Sequence, residues 1–244
     1  MKVRQIFCLI ICVIATMMIL SACGKSKKQS AMSENNSVIE NILSRRSIRK
    51  YLPQAVDQET MKIILDCGIN APNGQNKQSW EIRVVDDVET MDAIVAALAK
   101  ANPTVTPEMI RGCFRGAPTM AFIANDRSYL FSTIDCGLLS ENMMLAAWSM
   151  GVGSICLGCP IPLFDNLSSV DPIWDILNFS PGYRPIICIG FGYPDEAPAA
   201  KPRDPEKYRF VSARRRQRGG ASGKRKQKAR VKTRKEPHRF PGLR

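Results

Sequence analysis

The sequence predicts one domain of α+β or mixed α/β class over residues 38–210, on three observations. That stretch is long enough to bury a substantial core as a single unit. Helix-period and strand-like segments are interspersed along it, with no internal repeat. Charge balances over residues 1–210, 21 bases against 21 acids, because residues 211–244 hold nine Arg and five Lys against one Glu and carry the whole net charge of +13.

The elements follow in order. Ser37 and Glu40 have capping-box spacing at the start of a short amphipathic helix, "SVIENIL" (37–43). A second helix is expected over "DQETMKIILDCGIN" (57–70), a strand at "WEIRVV" (80–85) and a helix at "ETMDAIVAALAKA" (89–101). "APTMAFIAN" (117–125) reads as a buried strand. A long helix at "STIDCGLLSENMMLAAWSMG" (132–151) is apolar nearly all round in its second half and is stopped by Gly151 and Gly153. "SICLG" (154–158) and "RPIICIGFG" (184–192) are apolar runs of interior-strand type.

Outside this domain lie an address and a tail. Residues 1–22 read as a signal peptide, with Lys2 and Arg4 before the apolar run "IFCLIICVIATMMIL" (6–20). "LSAC" (20–23) resembles the lipobox of bacterial lipoproteins, so cleavage before Cys23 would leave its thiol to carry a diacylglycerol. An ordinary signal peptide or an uncleaved anchor helix are the alternatives. Residues 23–37 are small and polar and read as a tether. The expectation is an exported protein, lipid-anchored to the outer face of the bacterial cytoplasmic membrane. The tail, 211–244, has too few apolar residues to bury a core and is expected to be disordered. It would adhere to any polyanion, but it carries no nucleic-acid-binding pattern, so no specific nucleic-acid partner is expected.

Several chemistries are excluded. The one histidine, His238, lies in the tail, so the domain holds no Ser-His or Cys-His nucleophile system and no histidine metal cluster. "GVGSIC" (151–156) and "GFGYPD" (190–195) both lack the third glycine of a dinucleotide fingerprint, and no P-loop lysine motif occurs. Cys156 and Cys159 form a lone C-x-x-C, better read as small residues at the end of a buried strand than as half of a zinc site. The six cysteines of the domain read as mostly buried free thiols rather than a disulfide framework. What remains is a borrowed reagent, an organic cofactor that does the chemistry itself.

"RRSIRKY" (45–51), "APNGQNKQSWEI" (71–82), "ENMMLAAWSMGVGSICLG" (141–158) and "GYPDEAPAAKPR" (192–203) stand in the order and spacing of the nitroreductase family, which the domain resembles over residues 38–208. The resemblance implies an α+β fold with a mixed sheet flanked by helices. It also implies a homodimer with FMN at the subunit interface, and hydride transfer from NADH or NADPH to a small aromatic acceptor. Arg45, Arg46, Ser47 and Arg49 match the flavin-binding cluster: Arg45 and Ser47 at the phosphate, Arg49 toward the pyrimidine edge, with Lys50 left to solvent. Pro72, Asn73, Gly74 and Asn76 match a loop that reaches the flavin of the opposite subunit. Ser79 stands where the family usually has proline. Main-chain N–H groups at Leu157 and Gly158 would donate to flavin N5 and O4, and Lys201 and Arg203 would complete the phosphate site. The residues selecting an acceptor are expected around 102–116 and 126–131. Reduced nicotinamides are scarce outside the cytoplasm, so an exported enzyme would need another donor in the cell. The competing class is a surface-tethered binding protein, either flavin-free or acting through the basic tail.

Overall fold

The computed structural model describes residues 36–168 and 171–211. The signal peptide, Cys23 and most of the tether lie outside these residues, as does the tail beyond 211.

The helices are α1 (Ser37–Ser44), α2 (Gln58–Ile69), α3 (Val88–Ala101), α4 (Pro107–Cys113), α5 (Ser132–Ser149) and α6 (Ile173–Leu177). The strands are β1 (Trp80–Val85), β2 (Thr119–Asp126), β3 (Gly153–Leu157) and β4 (Tyr183–Gly192). Short 3-10 turns occupy Gly74–Asn76, Ile161–Asn166 and Pro205–Lys207. The strands form one sheet in the order β1-β2-β4-β3. Every ladder in it is antiparallel; the parallel component is a bridge between Ser47 and Ser154.

Central β2 is buried along seven of its eight residues. Its period of two sends Ala121 and Ile123 to one face, where they meet Ile64 of α2 and Leu139, Met143 and Ala147 of α5. Met120 and Phe122 go to the other face, against Ile94 and Leu98 of α3, Ile110 of α4, Phe164 and Ile173. Helices therefore cover both faces, and the α+β class stands. Aspartates start α2 and α3: Asp57 accepts from Thr60 N at 2.8 Å and Asp87 from Thr90 N at 2.7 Å.

The structure corrects the start of α1. Its cap is Asn36, whose Oδ1 accepts from Val38 N and Ile39 N, so Ser37 is already helical and the Ser37–Glu40 capping box does not form. The helix is amphipathic as expected but buries none of its residues, and Val38, Ile39, Ile42 and Leu43 are exposed. Gly151 follows the end of α5 at φ +76°, a backbone state glycine adopts without strain. Gly153 is the first residue of β3 rather than part of the stop.

The cysteines are a second correction. Cys113, the last residue of α4, is disulfide-bonded to Cys159 just past β3, with Cα atoms 5.5 Å apart, inside the range a bridge needs. Cys136 and Cys188 are buried free thiols, but Cys67 and Cys156 are free and exposed. Topology, not the C-x-x-C spacing, chose the partner of Cys159. The compact body ends at Ala200, and the described residues 201–211 belong to a second unit.

Candidate functional site

The basic segment leaves α1 at its cap, where Arg45 N donates to Asn41 O, and runs extended. Ile48 N donates to Ser154 O of β3 at 3.0 Å, while Tyr51 bridges Pro194 and Leu52 N donates to Tyr193 O at 2.9 Å. The segment is thus held between β3 and the chain leaving β4. Tyr51 closes it by donating its hydroxyl to Ile48 O at 2.7 Å, and burial, reinforced by Glu196, pushes that phenol well above its ordinary pKa.

Four cations leave this backbone in different directions. Arg45 lies mostly inside, 19% exposed, with Nε 4.0 Å from Glu141 Oε1, and its Nη1 is buried with no hydrogen-bond partner among the described residues. Arg46 turns back onto α1, its Nη1 donating to Leu43 O and Arg45 O at 2.8 Å each. Exposed Arg49 sends Nη1 to Ser47 O at 3.1 Å, and its backbone N–H donates to the carboxylate of Glu196. Lys50 is exposed, as expected. Ser154, bridged to Ser47, also has a buried hydroxyl oxygen without a partner. Exposed Cys156 follows two residues later on the same face of β3. Burial and Glu141 raise its thiol pKa, and Arg45 opposes them, so these groups share one local field. The large majority of buried side-chain polar groups are hydrogen-bonded. An unpaired guanidinium N–H, with its acid partner at the limit of contact, is a donor awaiting an anion. A phosphate dianion fits that donor set.

The loop of the second motif is built around Asp135. Gly74 N donates to Asp135 Oδ1 and Ser79 Oγ to Asp135 Oδ2, each at 3.0 Å, with Ser79 and Asp135 both buried. Asn73 is engaged within the loop, Oδ1 accepting from Gln78 N at 3.0 Å. Gln75, Asn76 and Gln78 all have φ near +50°, a conformation costing a non-glycine residue about 1 kcal/mol or more. Pro72 and Asn76 are exposed. Gly74 is required for a different reason than close approach to a flat ring: a Cβ there would overlap the hydroxyl of Tyr129. That hydroxyl is itself buried without a partner, and Lys77 Nζ sits 5.1 Å from the centre of the Tyr129 ring.

Asp135 and Glu141 lie on one helix, six positions apart. On an α-helix that is about 9 Å along the axis and roughly two-thirds of a turn around it. The loop and the Arg45 cluster therefore occupy different faces of α5.

At the third motif, Leu157 is buried and ends the β3–β4 register opposite Cys188. Gly158 is exposed, with nothing within 4 Å of the place a Cβ would take, so its main chain is approachable. Lys201 and Arg203 are both exposed in the second unit, where Arg203 Nη1 donates to Lys201 O at 3.2 Å.

Sequence reading missed Asp135, Glu141 and Tyr129. An acid within an apolar helix run was the available signal for Asp135; nothing in spacing marks the other two.

The model of the "Nitroreductase family" matches residues 42–193. A putative NADH dehydrogenase/NAD(P)H nitroreductase of Methanothermobacter thermautotrophicus is 30% identical over 168 residues, covering 67% of this chain and 81% of that protein. An NADPH-flavin oxidoreductase of Vibrio harveyi is 28% identical over 176 residues, 70% of this chain and 71% of that protein. Among solved structures, a nitroreductase with bound FMN from Desulfitobacterium hafniense superposes with a TM-score of 0.63 at 26% identity, covering 73% of this chain and all of that one. An FMN-dependent nitroreductase from Clostridium difficile gives 0.58 at 29% identity, covering 72% and 98%.

Proposed function

The chain belongs to the nitroreductase family, and from that membership we infer that it is an FMN-dependent NAD(P)H oxidoreductase. The observation that carries the assignment to a site is the buried Nη1 of Arg45, an unpaired cationic donor beside the Ser47–Ser154 bridge.

FMN supplies, when bound, the ring nitrogen N5 that accepts hydride. The chain supplies the rest. Arg45 and Ser47 hold the phosphate. Arg49, exposed on the cluster, serves the pyrimidine edge, where negative charge grows on reduction. Arg46 contributes by fixing the end of α1. The main chain of Leu157 and Gly158 orients the reactive edge of the ring. Pro72, Asn73, Gly74 and Asn76 serve the cofactor of a second copy, a reading supported by their lying on another face of α5 from Arg45. The exposed apolar side of α1 suits the same homodimer. NADH or NADPH and a nitroaromatic, quinone or similar acceptor use one open face in turn, a ping-pong scheme.

We also propose export to the outer face of the cytoplasmic membrane, with Cys23 lipidated. The Cys113–Cys159 bridge supports it, because such bridges persist mainly in oxidising compartments.

The test is the visible spectrum of the purified full chain. A yellow protein that releases FMN, bleaches with NADH or NADPH and recovers on adding a quinone is expected. A folded, colourless protein unable to take up FMN would overturn the assignment.

A further inference from the structure

The disulfide joins two segments that differ in how firmly they are held. On one side, α4 is anchored in the core by Ile110 and by Phe114, whose ring meets Phe122 edge-on with centroids 6.0 Å apart. The chain entering α4 is fixed upstream by buried Asn102, the cap at the end of α3, which donates to Leu163 O at 2.9 Å and accepts from Asn166 at 2.6 Å. On the other side, Gly158 and Cys159 are the exposed pair between buried Leu157 and buried Pro160, just past the last β3–β4 register pair. With Cα atoms of the bridge 5.5 Å apart and successive Cα atoms about 3.8 Å apart, the Cys113 Cα lies within about 9 Å of that of Gly158.

We propose that the Cys113–Cys159 disulfide is a positioning cross-link: it holds the Gly158–Cys159 turn against the core-anchored end of α4, and so fixes the main-chain donors that orient the flavin. This rests on the FMN reading above. The bridge acts on orientation rather than on retention, since Arg45 and Ser47 hold the phosphate beside Ser154, at the other end of β3 from Gly158. Exposed Cys159 leaves the bridge open to attack. A dithiol opens it in two exchanges, passing two electrons and two protons to the cysteine pair and leaving as its own cyclic disulfide. Hydride transfer then depends on the thiol state of the surroundings, a dependence that neither cysteine of the C-x-x-C pair has through the other.

The experiment uses the full chain purified with its flavin, as isolated, after treatment with dithiothreitol, and as Cys113→Ser. Thiol counting and peptide mass mapping establish the bridge. Amide hydrogen exchange at residues 157–159 should accelerate about ten-fold on opening, while exchange in β2 and β4 stays unchanged. The kcat for NADH oxidation should fall about ten-fold, with FMN affinity altered less than about two-fold. Reoxidation should restore wild-type kcat and exchange, and dithiothreitol should leave Cys113→Ser unchanged. A missing bridge, unaltered exchange at 157–159, or a kcat insensitive to opening in a flavin-loaded protein overturns the proposal. Wild-type protein serves if the variant fails to fold. A protein that binds no FMN fails the oxidoreductase assignment instead, which the spectrum reports before any thiol is touched.

Discussion

Ser79 donates its hydroxyl to buried Asp135 at 3.0 Å, at the position where the nitroreductase resemblance sets a proline. The ring would have restricted the loop covalently; here a carboxylate does it, gripping Ser79 and Gly74 together. Asp135→Ala should cost about 2–3 kcal/mol by leaving the buried Ser79 hydroxyl and the half-buried Gly74 amide unpaired, and Ser79→Ala about 1 kcal/mol. Chemical denaturation of both variants and of the double variant tests this, and the double should cost less than the sum.

Gly74 and Tyr129 form a second coupled pair. Gly74→Ala should destabilise by about 1–3 kcal/mol, because the new methyl group meets the Tyr129 hydroxyl. Tyr129→Phe removes a buried hydroxyl that has no partner and should be neutral or slightly stabilising by itself. In the double variant the phenylalanine should recover a large part of the Gly74→Ala loss, read as thermal midpoints.

Arg45→Ala should weaken FMN binding by about ten- to a hundred-fold, the worth of a charge-assisted hydrogen bond to phosphate. Fluorescence titration of the flavin measures this, with the far-ultraviolet spectrum checking that the fold is intact. Removing residues 212–244 should leave flavin affinity and NADH oxidation unchanged. Loss of activity on that deletion would favour a role for the basic tail.

The acid limb of stability is set partly by helix caps. The amides of Thr60 and Thr90 hold the Asp57 and Asp87 carboxyls below their ordinary pKa of 3.8. A depressed carboxylate adds stability at pH values above its unfolded pKa, and that stability is lost as pH falls through the lower folded value. Asp57→Asn and Asp87→Asn keep a capping oxygen without the titration. Each should flatten the fall in thermal midpoint below pH 3.8.

Thiol labelling at pH 8 should proceed in an order set by burial. Exposed Cys67 reacts first, and Cys156 more slowly because burial and Glu141 raise its pKa. Cys136, pushed up to about 12 by burial, and fully enclosed Cys188 should label only on unfolding. Cys113 and Cys159 should require a dithiol. Peptide mapping after timed alkylation gives the order.

The strands and longer helices were legible because each rests on a local period. β1 falls exactly on "WEIRVV", and α2, α3 and α5 end within two residues of their apolar patterns. The start of α1 slipped by one because Asn36 and Ser37 are both good caps, and local sequence does not choose between neighbours. The bridge was illegible for a different reason. Cys113 and Cys159 are 46 residues apart and meet only because β3 and the end of α4 share one side of the sheet. Of the site, the cationic cluster could be read as a group, but which guanidinium is left unpaired depends on α1 carbonyls and Glu141, which enter through tertiary packing.

Helix α1 keeps Val38, Ile39, Ile42 and Leu43 in water, beginning only fourteen positions after Cys23. For a chain fastened there to a bilayer, diffusion is confined to two dimensions, and the effective concentration of a second copy rises with no new contact. Anchoring would then act as an assembly aid. Pairing and cofactor capture would be driven at expression levels where the same domain, cut free and diluted, would shed its flavin.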